Sequence, residues 1–253
     1  MFGDYEAQRH WMELTYHLPL SEWYRHDLDY WGLDYPPLTA YVSWACGWAA
    51  HRAGSLHDAG AAPDADAAAC RPEDDAVCAD DGRRSARSVP DGGLRVLRDL
   101  VALHSSRWGF EAPGGKLYMR GTVLLFDALV YMSAVWALAG RLTRDDGGGE
   151  EGAGGVAADA SLLPAARRRR LCLVLTALCQ PALVLIDHGH FQYNAVSLGL
   201  ALWSFHFMTS GGAGRRRSFA GPAWGSVLFC LALNFKQMEL YHAPAVFAYL
   251  LGR

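Results

Sequence analysis

Residues Gly3–Tyr41 read GDYEAQRHWMELTYHLPLSEWYRHDLDYWGLDYPPLTAY, and the rest of the chain is interpreted as what holds this stretch in place. The stretch combines carboxylates with a dense set of aromatic side chains, among them Trp11, Tyr16, Trp23, Tyr24, Tyr30, Trp31, Tyr35 and Tyr41. Aromatic rings with polar tips suit a membrane–water interface, and a neighbouring carboxylate can take the proton from an attacking hydroxyl. The composition therefore indicates a glycosyl-transfer site at a membrane surface.

Long apolar runs follow this stretch and predict membrane-spanning helices. Hydrophobic residues make up 51% of the 253 residues, and most of the charges lie outside these runs. The predicted spans cover about 118–140, 171–187, 195–210 and 219–236, with the start of another at 243. We therefore predict an all-α, multi-spanning membrane protein.

Arginine-rich segments between the apolar runs predict the topology. Arg141, Arg144 and Arg167–Arg170 fall in one predicted loop, and Arg215–Arg217 fall in another. The positive-inside rule places both loops in the cytosol. The segments that would then share the lumenal side are rich in polar and ionisable residues: Met1–Lys116, Asp187–Asn194 and Lys236–His242.

Residues 1–117 are interpreted as a lumenal active-site loop with helices at the membrane interface, and residues 118–253 as the transmembrane region. Asp4–His17 predicts an amphipathic helix that ends before Pro19, with Glu6, Arg9, His10 and Glu13 on its polar side. The other predicted elements are a short helix at Ser21–Tyr30, a surface-lying helix at Leu38–Ala50 and helix again at Leu94–Leu103. Residues 57–93 have the composition of a disordered insert.

Composition also bears on partners. A net charge of −3 gives no general attraction to nucleic acid, so we expect none as a partner. The six cysteines follow no metal-ligand spacing. We therefore predict no metal site and no cofactor.

Two aspartates in the opening stretch are candidates for chemistry. Asp4 could be the N-cap of the first helix, or a general base at a partly desolvated interface. Asp34 precedes Tyr35-Pro36-Pro37, where it could form an Asx turn or belong to the site.

A second polar stretch, Asp187–Asn194, lies between two apolar runs. Polar groups there are costly unless they face a cavity. His188 and His190 could suggest zinc, but no third ligand is placed by the spacing, so imidazoles near a phosphate are the preferred interpretation. Lys236 could offer a positive charge to the same phosphate or extend to the membrane surface.

Four segments carry a resemblance to a known family: GDYEAQRHWMELTYHLP, YWGLDYPPLTAY, LVLIDHGHFQYN and FKQMELYHAP. They resemble the signature segments of the endoplasmic-reticulum glucosyltransferases that use dolichyl-phosphate-glucose as the glucose donor. The resemblance runs in order through most of the chain except residues 51–93 and 143–163. Together the four motifs are highly specific.

The resemblance implies a membrane transferase of the GT-C type with its active site on the lumenal face of the endoplasmic-reticulum membrane. It implies transfer of glucose from dolichyl-phosphate-glucose to the lipid-linked oligosaccharide Man(9)GlcNAc(2)-PP-dolichol, forming an α-1,3 bond with inversion. The family's catalytic aspartate lies in a Gly-Asp-(Phe/Tyr)-Glu motif, which corresponds to Asp4. The residues expected to bind or support substrate are Glu6, Arg9, His10, Asp34, His188, His190, Gln192, Tyr193 and Lys236.

Alternatives from the sequence are the sister enzyme that adds the second glucose, and a non-catalytic membrane scaffold or lipid-binding module. The family's leading transmembrane helix and its C-terminal helices have no counterpart in these residues. We therefore expect the chain to be a fragment of a longer enzyme.

Overall fold

The computed structural model describes residues 4–26, 31–60, 95–102, 112–145, 165–210 and 219–252. Its α-helices are α1 (Asp4–His17), α2 (Pro37–Gly60), α3 (Arg95–Leu100), α4 (Pro113–Phe126), α5 (Ser133–Asp145), α6 (Ala165–Leu178), α7 (Pro181–Leu183), α8 (Asn194–Met208), α9 (Ala220–Phe235) and α10 (Ala243–Leu251). Two π-helical segments, Asp127–Met132 and Val184–Phe191, follow α4 and α7, and the 3-10 helix Gln237–His242 follows α9. No strand occurs in these ranges, which confirms the all-α prediction.

The chain divides into two compact units, which are described separately. The first unit comprises Met1–Leu33 and Val42–Met119. The second unit comprises Asp34–Tyr41 and Arg120–Arg253.

The first unit is organised around α1, which is buried from Tyr5 to Thr15. Helix α2 approaches it closely at Gly47, where an added Cβ would lie 2.6 Å from the carbonyl oxygen of Met12. A larger residue at that position would push the two helices apart. The C-terminal end of α1 is tied down as well, since a ring nitrogen of His17 lies 2.7 Å from the carbonyl oxygen of Val101.

Two long helical segments have the length and composition to cross a membrane: Pro113–Thr143, of 31 residues, and Ala165–Phe191, of 27 residues. Only 11% of the apolar window of the second segment is buried inside the protein. Leucines on both segments point outward, and Leu129 is 63% and Leu185 68% exposed. Outward-facing leucines are expected where a helix surface contacts lipid.

Within the second unit, α8 packs through small residues, as helices in membranes commonly do. A Cβ at Gly199 would lie 2.8 Å from the carbonyl carbon of Val130, so the backbones approach directly. Farther along α8, the Ser204 hydroxyl donates a hydrogen bond of 2.7 Å to the carbonyl oxygen of Gly225 in α9. These contacts bring the π-helical segment Asp127–Met132 and α9 against α8.

The structure changes several predicted boundaries. Residues 113–145 are continuously helical, so the first predicted span begins earlier and ends later than 118–140. Helix α6 begins at Ala165, and Arg167–Arg170 therefore lie in its first turns instead of a loop. Arginine has a high helix propensity, so the run extends the apolar helix.

The polar stretch predicted as a loop is also mostly helical. Asp187–Phe191 complete a π-helical segment, and Asn194 opens α8, leaving only Gln192 and Tyr193 between them. The wider π-helical turn accommodates extra residues within a helix, and such segments occur often at functional sites.

Two corrections concern the N-terminal region. The predicted helix at Ser21–Tyr30 is a series of turns through residue 25, held by bonds such as Glu22 N–H to Pro19 C=O, while residues 27–30 lie outside the described part. Helix α2 spans Pro37–Gly60, longer than predicted, and takes in residues 57–60 of the predicted insert. The remainder of that insert, 61–93, lies outside the described residues.

Candidate active site

Asp4 is the first residue of α1 and is partly exposed. Asp4 and Glu6 place two carboxylates in the first turn, where the helix dipole favours negative charge. A carboxylate in that position can stabilise the helix terminus and, being partly exposed, can also meet the hydroxyl of a bound sugar.

The remaining predicted residues of α1 form a buried ion-pair group. The Arg9 side chain is fully buried, and its Nε donates a 2.8 Å hydrogen bond to Glu6 Oε1. Its Nη1 donates to Glu13 Oε2 at 2.6 Å and to the carbonyl oxygen of Leu100 at 2.8 Å. We call Glu6, Arg9, His10 and Glu13 the Arg9 ion-pair group.

The group is electrostatically self-supporting. Burial lowers the pKa of the Arg9 guanidinium, but the hydrogen bonds and charges of Glu6 and Glu13 outweigh burial and raise that pKa above its usual value. His10 is also buried, with Nδ1 3.7 Å from Glu13 Oε2. The described contacts of these side chains are thus with each other and with α3, an arrangement that fixes the position of α1.

In the second unit, Asp187 holds the N-terminus of α8. Its Oδ1 accepts hydrogen bonds from the Asn194 backbone N–H at 3.2 Å and from Asn194 Nδ2 at 2.7 Å. Its Oδ2 accepts from the Ala195 N–H at 2.8 Å. A carboxylate bound to the first N–H groups of a helix acts as a cap, although it lies seven residues before α8 begins.

Lys236 joins this cap from the end of α9. Its Nζ donates 2.7 Å to Gln192 Oε1 and makes a short hydrogen bond to Asn194 Oδ1. The ammonium also lies 5.2 Å from the ring centre of Tyr35, within cation–π range. We call Asp187, Gln192, Asn194 and Lys236 the polar cluster.

The two histidines of the stretch occupy different environments. His188 is one-third exposed, and its Nε2 lies 2.8 Å from Oδ2 of the nearly buried Asp127. This contact joins the two π-helical segments. His190 is exposed and lines a cavity beside the polar cluster.

Tyr193 is buried between α4 and α8. Its hydroxyl lies 2.7 Å from the Thr122 hydroxyl, and its ring packs edge-on against Phe191 and Phe126. Phe191 has a φ of 68°, a left-handed conformation that is strained for an aromatic residue. The chain therefore turns sharply here, between the π-helical segment and the capped start of α8.

The cavity beside the polar cluster has a volume of about 520 Å³. His190, Gln192 and Asn194 line one part of it. Apolar side chains of Ala165–Phe191, including Leu183 and Ile186, also line it. A cavity with a polar wall and an apolar wall can hold a phosphate attached to a hydrocarbon chain.

The predicted site residues are therefore brought together in two sets. Glu6, Arg9 and His10 belong to the Arg9 ion-pair group of the first unit. His188, His190, Gln192, Tyr193 and Lys236 lie in or next to the polar cluster of the second. Asp34 is exposed in the irregular segment before α2, in the same unit as the polar cluster.

The sequence did not predict several residues that contact the predicted site residues in the structure. Asp187 and Asn194 complete the polar cluster, and Asp127 is the partner of His188. Glu239 is fully buried, with Oε1 accepting from the Ser197 hydroxyl at 3.1 Å and Oε2 2.9 Å from His242 Nδ1. The available signal was the presence of acids within or next to apolar runs, where a charged group needs a partner. Among the described residues, no three His, Cys, Asp or Glu side chains are grouped to hold a metal ion.

The chain is similar to known proteins along most of its length. The sequence profile of the ALG6, ALG8 glycosyltransferase family matches residues 1–58 and 94–253. It omits residues 59–93, within the segment interpreted as an insert.

Curated relatives match the whole chain. This chain is 37% identical over 257 residues to the dolichyl pyrophosphate Man9GlcNAc2 alpha-1,3-glucosyltransferase of Gallus gallus, and the match covers 36% of that protein. It is 38% identical over 255 residues to the enzyme of the same name from Saccharomyces cerevisiae, covering 34%. The chain thus spans about a third of the length of these relatives.

Proposed function

This chain belongs to the ALG6, ALG8 glycosyltransferase family, and from that premise we propose that it is part of a membrane glucosyltransferase. The proposed reaction transfers glucose from dolichyl-phosphate-glucose to Man(9)GlcNAc(2)-PP-dolichol and forms an α-1,3 bond. The names of the relatives support the acceptor and the bond. The donor and the lumenal endoplasmic-reticulum location of the site are part of the proposal.

The observation that carries the proposal is the cavity beside the polar cluster. Lys236, bound to two of the residues near that cavity, brings a positive charge beside its polar wall. Several apolar lining residues, including Leu183 and Ile186, come from Ala165–Phe191, a segment with the length and composition to cross a membrane. A phosphate with a polyprenyl tail presents the same two chemistries, since its charge suits the lysine and its tail suits lipid.

The proposed base is Asp4. Its carboxylate would take the proton from the acceptor's 3-hydroxyl as that oxygen bonds to the anomeric carbon of β-linked glucose. The bond from the anomeric carbon to the phosphate oxygen breaks, and dolichyl phosphate leaves with the electron pair. Attack opposite the leaving group gives inversion to the α-linkage. Dolichyl phosphate is a good leaving group, so this route does not require protonation by a second acid.

A transfer assay with the full-length protein tests the reaction. Purified protein is incubated with radiolabelled dolichyl-phosphate-glucose and either the mannosyl acceptor or its monoglucosylated form. We expect label on the mannosyl acceptor. Label only on the monoglucosylated acceptor would identify the sister activity, and no transfer by well-folded protein would favour a scaffold.

Lys236→Gln tests the donor site. The substitution keeps a polar side chain but removes the charge, and we expect the KM for the donor to rise roughly tenfold or more, the usual worth of a charge-assisted hydrogen bond. Arg25→Gln, at an exposed position in the turn after α1, is the matched control for loss of one positive charge. An unchanged donor KM in Lys236→Gln would remove the lysine from the site.

Asp4→Asn tests the base. Asparagine has almost the same volume as aspartate, and the helix-dipole interaction that it loses is worth only about 0.3–1 kcal/mol, so folding should be retained, whereas asparagine cannot accept the hydroxyl proton. We expect transfer to fall by roughly two orders of magnitude or more while donor binding survives. Near-normal turnover in Asp4→Asn, together with an inactive Asp34→Asn, would move the role to Asp34.

A further inference from the structure

A second cavity, of about 320 Å³, lies between α5 and the first turns of α6. Its walls include Trp136, Gly140 and Thr143 from α5, and Arg167 and Arg170 from α6. None of these residues lines the cavity beside the polar cluster. Two guanidinium groups thus border a cavity that the proposed glucosyl transfer does not use.

Arg170 is held in a fixed orientation. Its guanidinium lies 3.8 Å from the ring centre of Trp136, and its Nη2 donates a 3.0 Å hydrogen bond to the carbonyl oxygen of the same residue. Its Nε is buried and has no hydrogen-bond partner in the part of the chain that the structure describes. A guanidinium held in one orientation beside a cavity is suited to bind an anionic oxygen.

The cavity lies where the polar end of α6 meets its apolar part. Arg167–Arg170 are followed directly by Leu171, and Trp136 is 49% exposed, as is typical of an aromatic residue at a membrane surface. Beyond them, Leu173 is 45% and Leu175 59% exposed on the same helix. A molecule bound by the arginines would therefore have an apolar helix surface beside it.

We propose that this cavity binds the phosphate of an anionic membrane phospholipid, with its acyl chains along the exposed leucines of α6. Charge complementarity favours the phosphate, because Arg167 and Arg170 line the cavity in the first turns of α6, near the positive end of the helix dipole. The apolar surface favours a lipid over a soluble anion. A neutral or zwitterionic lipid would gain less, since it offers the guanidinium groups no net charge.

Native mass spectrometry of the full-length protein in detergent tests the proposal, with added phosphatidic acid as probe and phosphatidylcholine for comparison. We expect phosphatidic acid to bind more tightly, and Arg170→Ala to weaken its binding roughly tenfold or more. Arg168→Ala removes the same charge from an exposed position that does not line the cavity. Because it lies outside the cavity and is exposed, its loss should weaken binding by at most about fivefold.

Two further variants keep the test decisive if Arg170→Ala folds poorly. Arg167→Ala removes the second, exposed guanidinium of the cavity and should also exceed the Arg168→Ala effect. Gly140→Ala would place a methyl group 2.8 Å from the Arg170 guanidinium carbon, displacing it without changing the charge, and should weaken binding too. Equal effects of the cavity and control variants, equal binding of phosphatidylcholine, or full competition by millimolar inorganic phosphate would each overturn the proposal.

Discussion

Replacing Arg9 with methionine tests what the Arg9 ion-pair group does for the protein. The variant retains a long side chain but leaves Glu6 and Glu13 buried, 2% and 0% exposed, without the cation that both now contact. Removing one partner of a buried ion pair typically costs about 3–5 kcal/mol of unfolding free energy. A loss of that size should lower the melting temperature of the protein by several degrees.

The contribution of Arg9 to stability is largely independent of pH in the working range. The carboxylates raise the pKa of Arg9 above its usual value, so the folded state holds this proton more tightly than the unfolded state. A raised pKa contributes stability that is complete below the unfolded value and fades only as the pH passes the folded one. Both values lie well above the working range, so the titration of Arg9 itself does not change the stability of the protein between pH 6 and pH 8.

The assay is thermal unfolding of the purified full-length protein in detergent, followed by tryptophan fluorescence. Arg25→Met is the matched control, since it removes the same charge from an exposed side chain, and we expect a change of under about 0.5 kcal/mol. If Arg9→Met melts at the same temperature as this control, the buried ion pair does not stabilise the fold and the reasoning fails.

Neutralising Glu6, Arg9 and Glu13 together separates a structural role of the Arg9 ion-pair group from a role in substrate binding. Combining Arg9→Met with Glu6→Gln and Glu13→Gln removes the stranded carboxylates, so most of the lost stability should return. Because the described contacts of Arg9 lie inside the protein, we expect this triple variant to transfer glucose. A stable triple variant with no transfer would instead assign Arg9 a direct contact with substrate.

Three further variants test the second unit by thermal unfolding. Gly199→Ala would place its Cβ 2.8 Å from the carbonyl carbon of Val130 and should lower the melting temperature strongly. Gly121→Ala is the control: a Cβ there meets no described atom within 4 Å, so the melting temperature should stay unchanged or rise slightly. Similar behaviour of the two variants would contradict the packing of α8. Asp187→Asn replaces one acceptor of the α8 cap by a donor, and a loss of about 1–3 kcal/mol is expected, so an unaltered melting temperature would count against the cap. Asp127→Asn and His188→Gln should show a coupling of about 0.5–3 kcal/mol in a double-mutant cycle, while additive effects would mean that the two side chains do not interact.

The sequence predicted those elements whose limits are set by nearby residues. Helix α1 has the predicted bounds, Asp4–His17, because the acidic first turn and Pro19 mark its two ends locally. Helix α3, at Arg95–Leu100, lies within the predicted 94–103. The apolar composition of the long segments was equally readable, whereas their ends were not, because arginines and prolines at helix starts resemble loops.

The polar side of α1 shows why burial could not be read from spacing. Glu6, Arg9 and Glu13 lie three and four residues apart, a spacing that serves a solvated helix face and an internal ion pair equally well. What distinguishes them is the cover provided by distant residues, such as Leu100, whose carbonyl oxygen accepts from Arg9 across 91 positions. Amphipathic patterning therefore predicted the helix and its polar side, but it could not show that the structure buries that side.

In the polar cluster, too, the sequence shows which residues are polar but not which distant residues contact them. Burying an ionisable side chain next to a segment that can cross a membrane costs free energy unless the side chain has a partner. Asp187 and Lys236 could therefore each be predicted to need a partner. The partners themselves are set by where helices end. Asp187 meets the start of α8 because a π-helical segment and a left-handed Phe191 turn the chain back on itself, and Lys236 arrives at the end of α9, 42 residues beyond Asn194. Sequence chemistry thus specifies which groups must be satisfied, and the packing of α8 against α9 determines which of them meet.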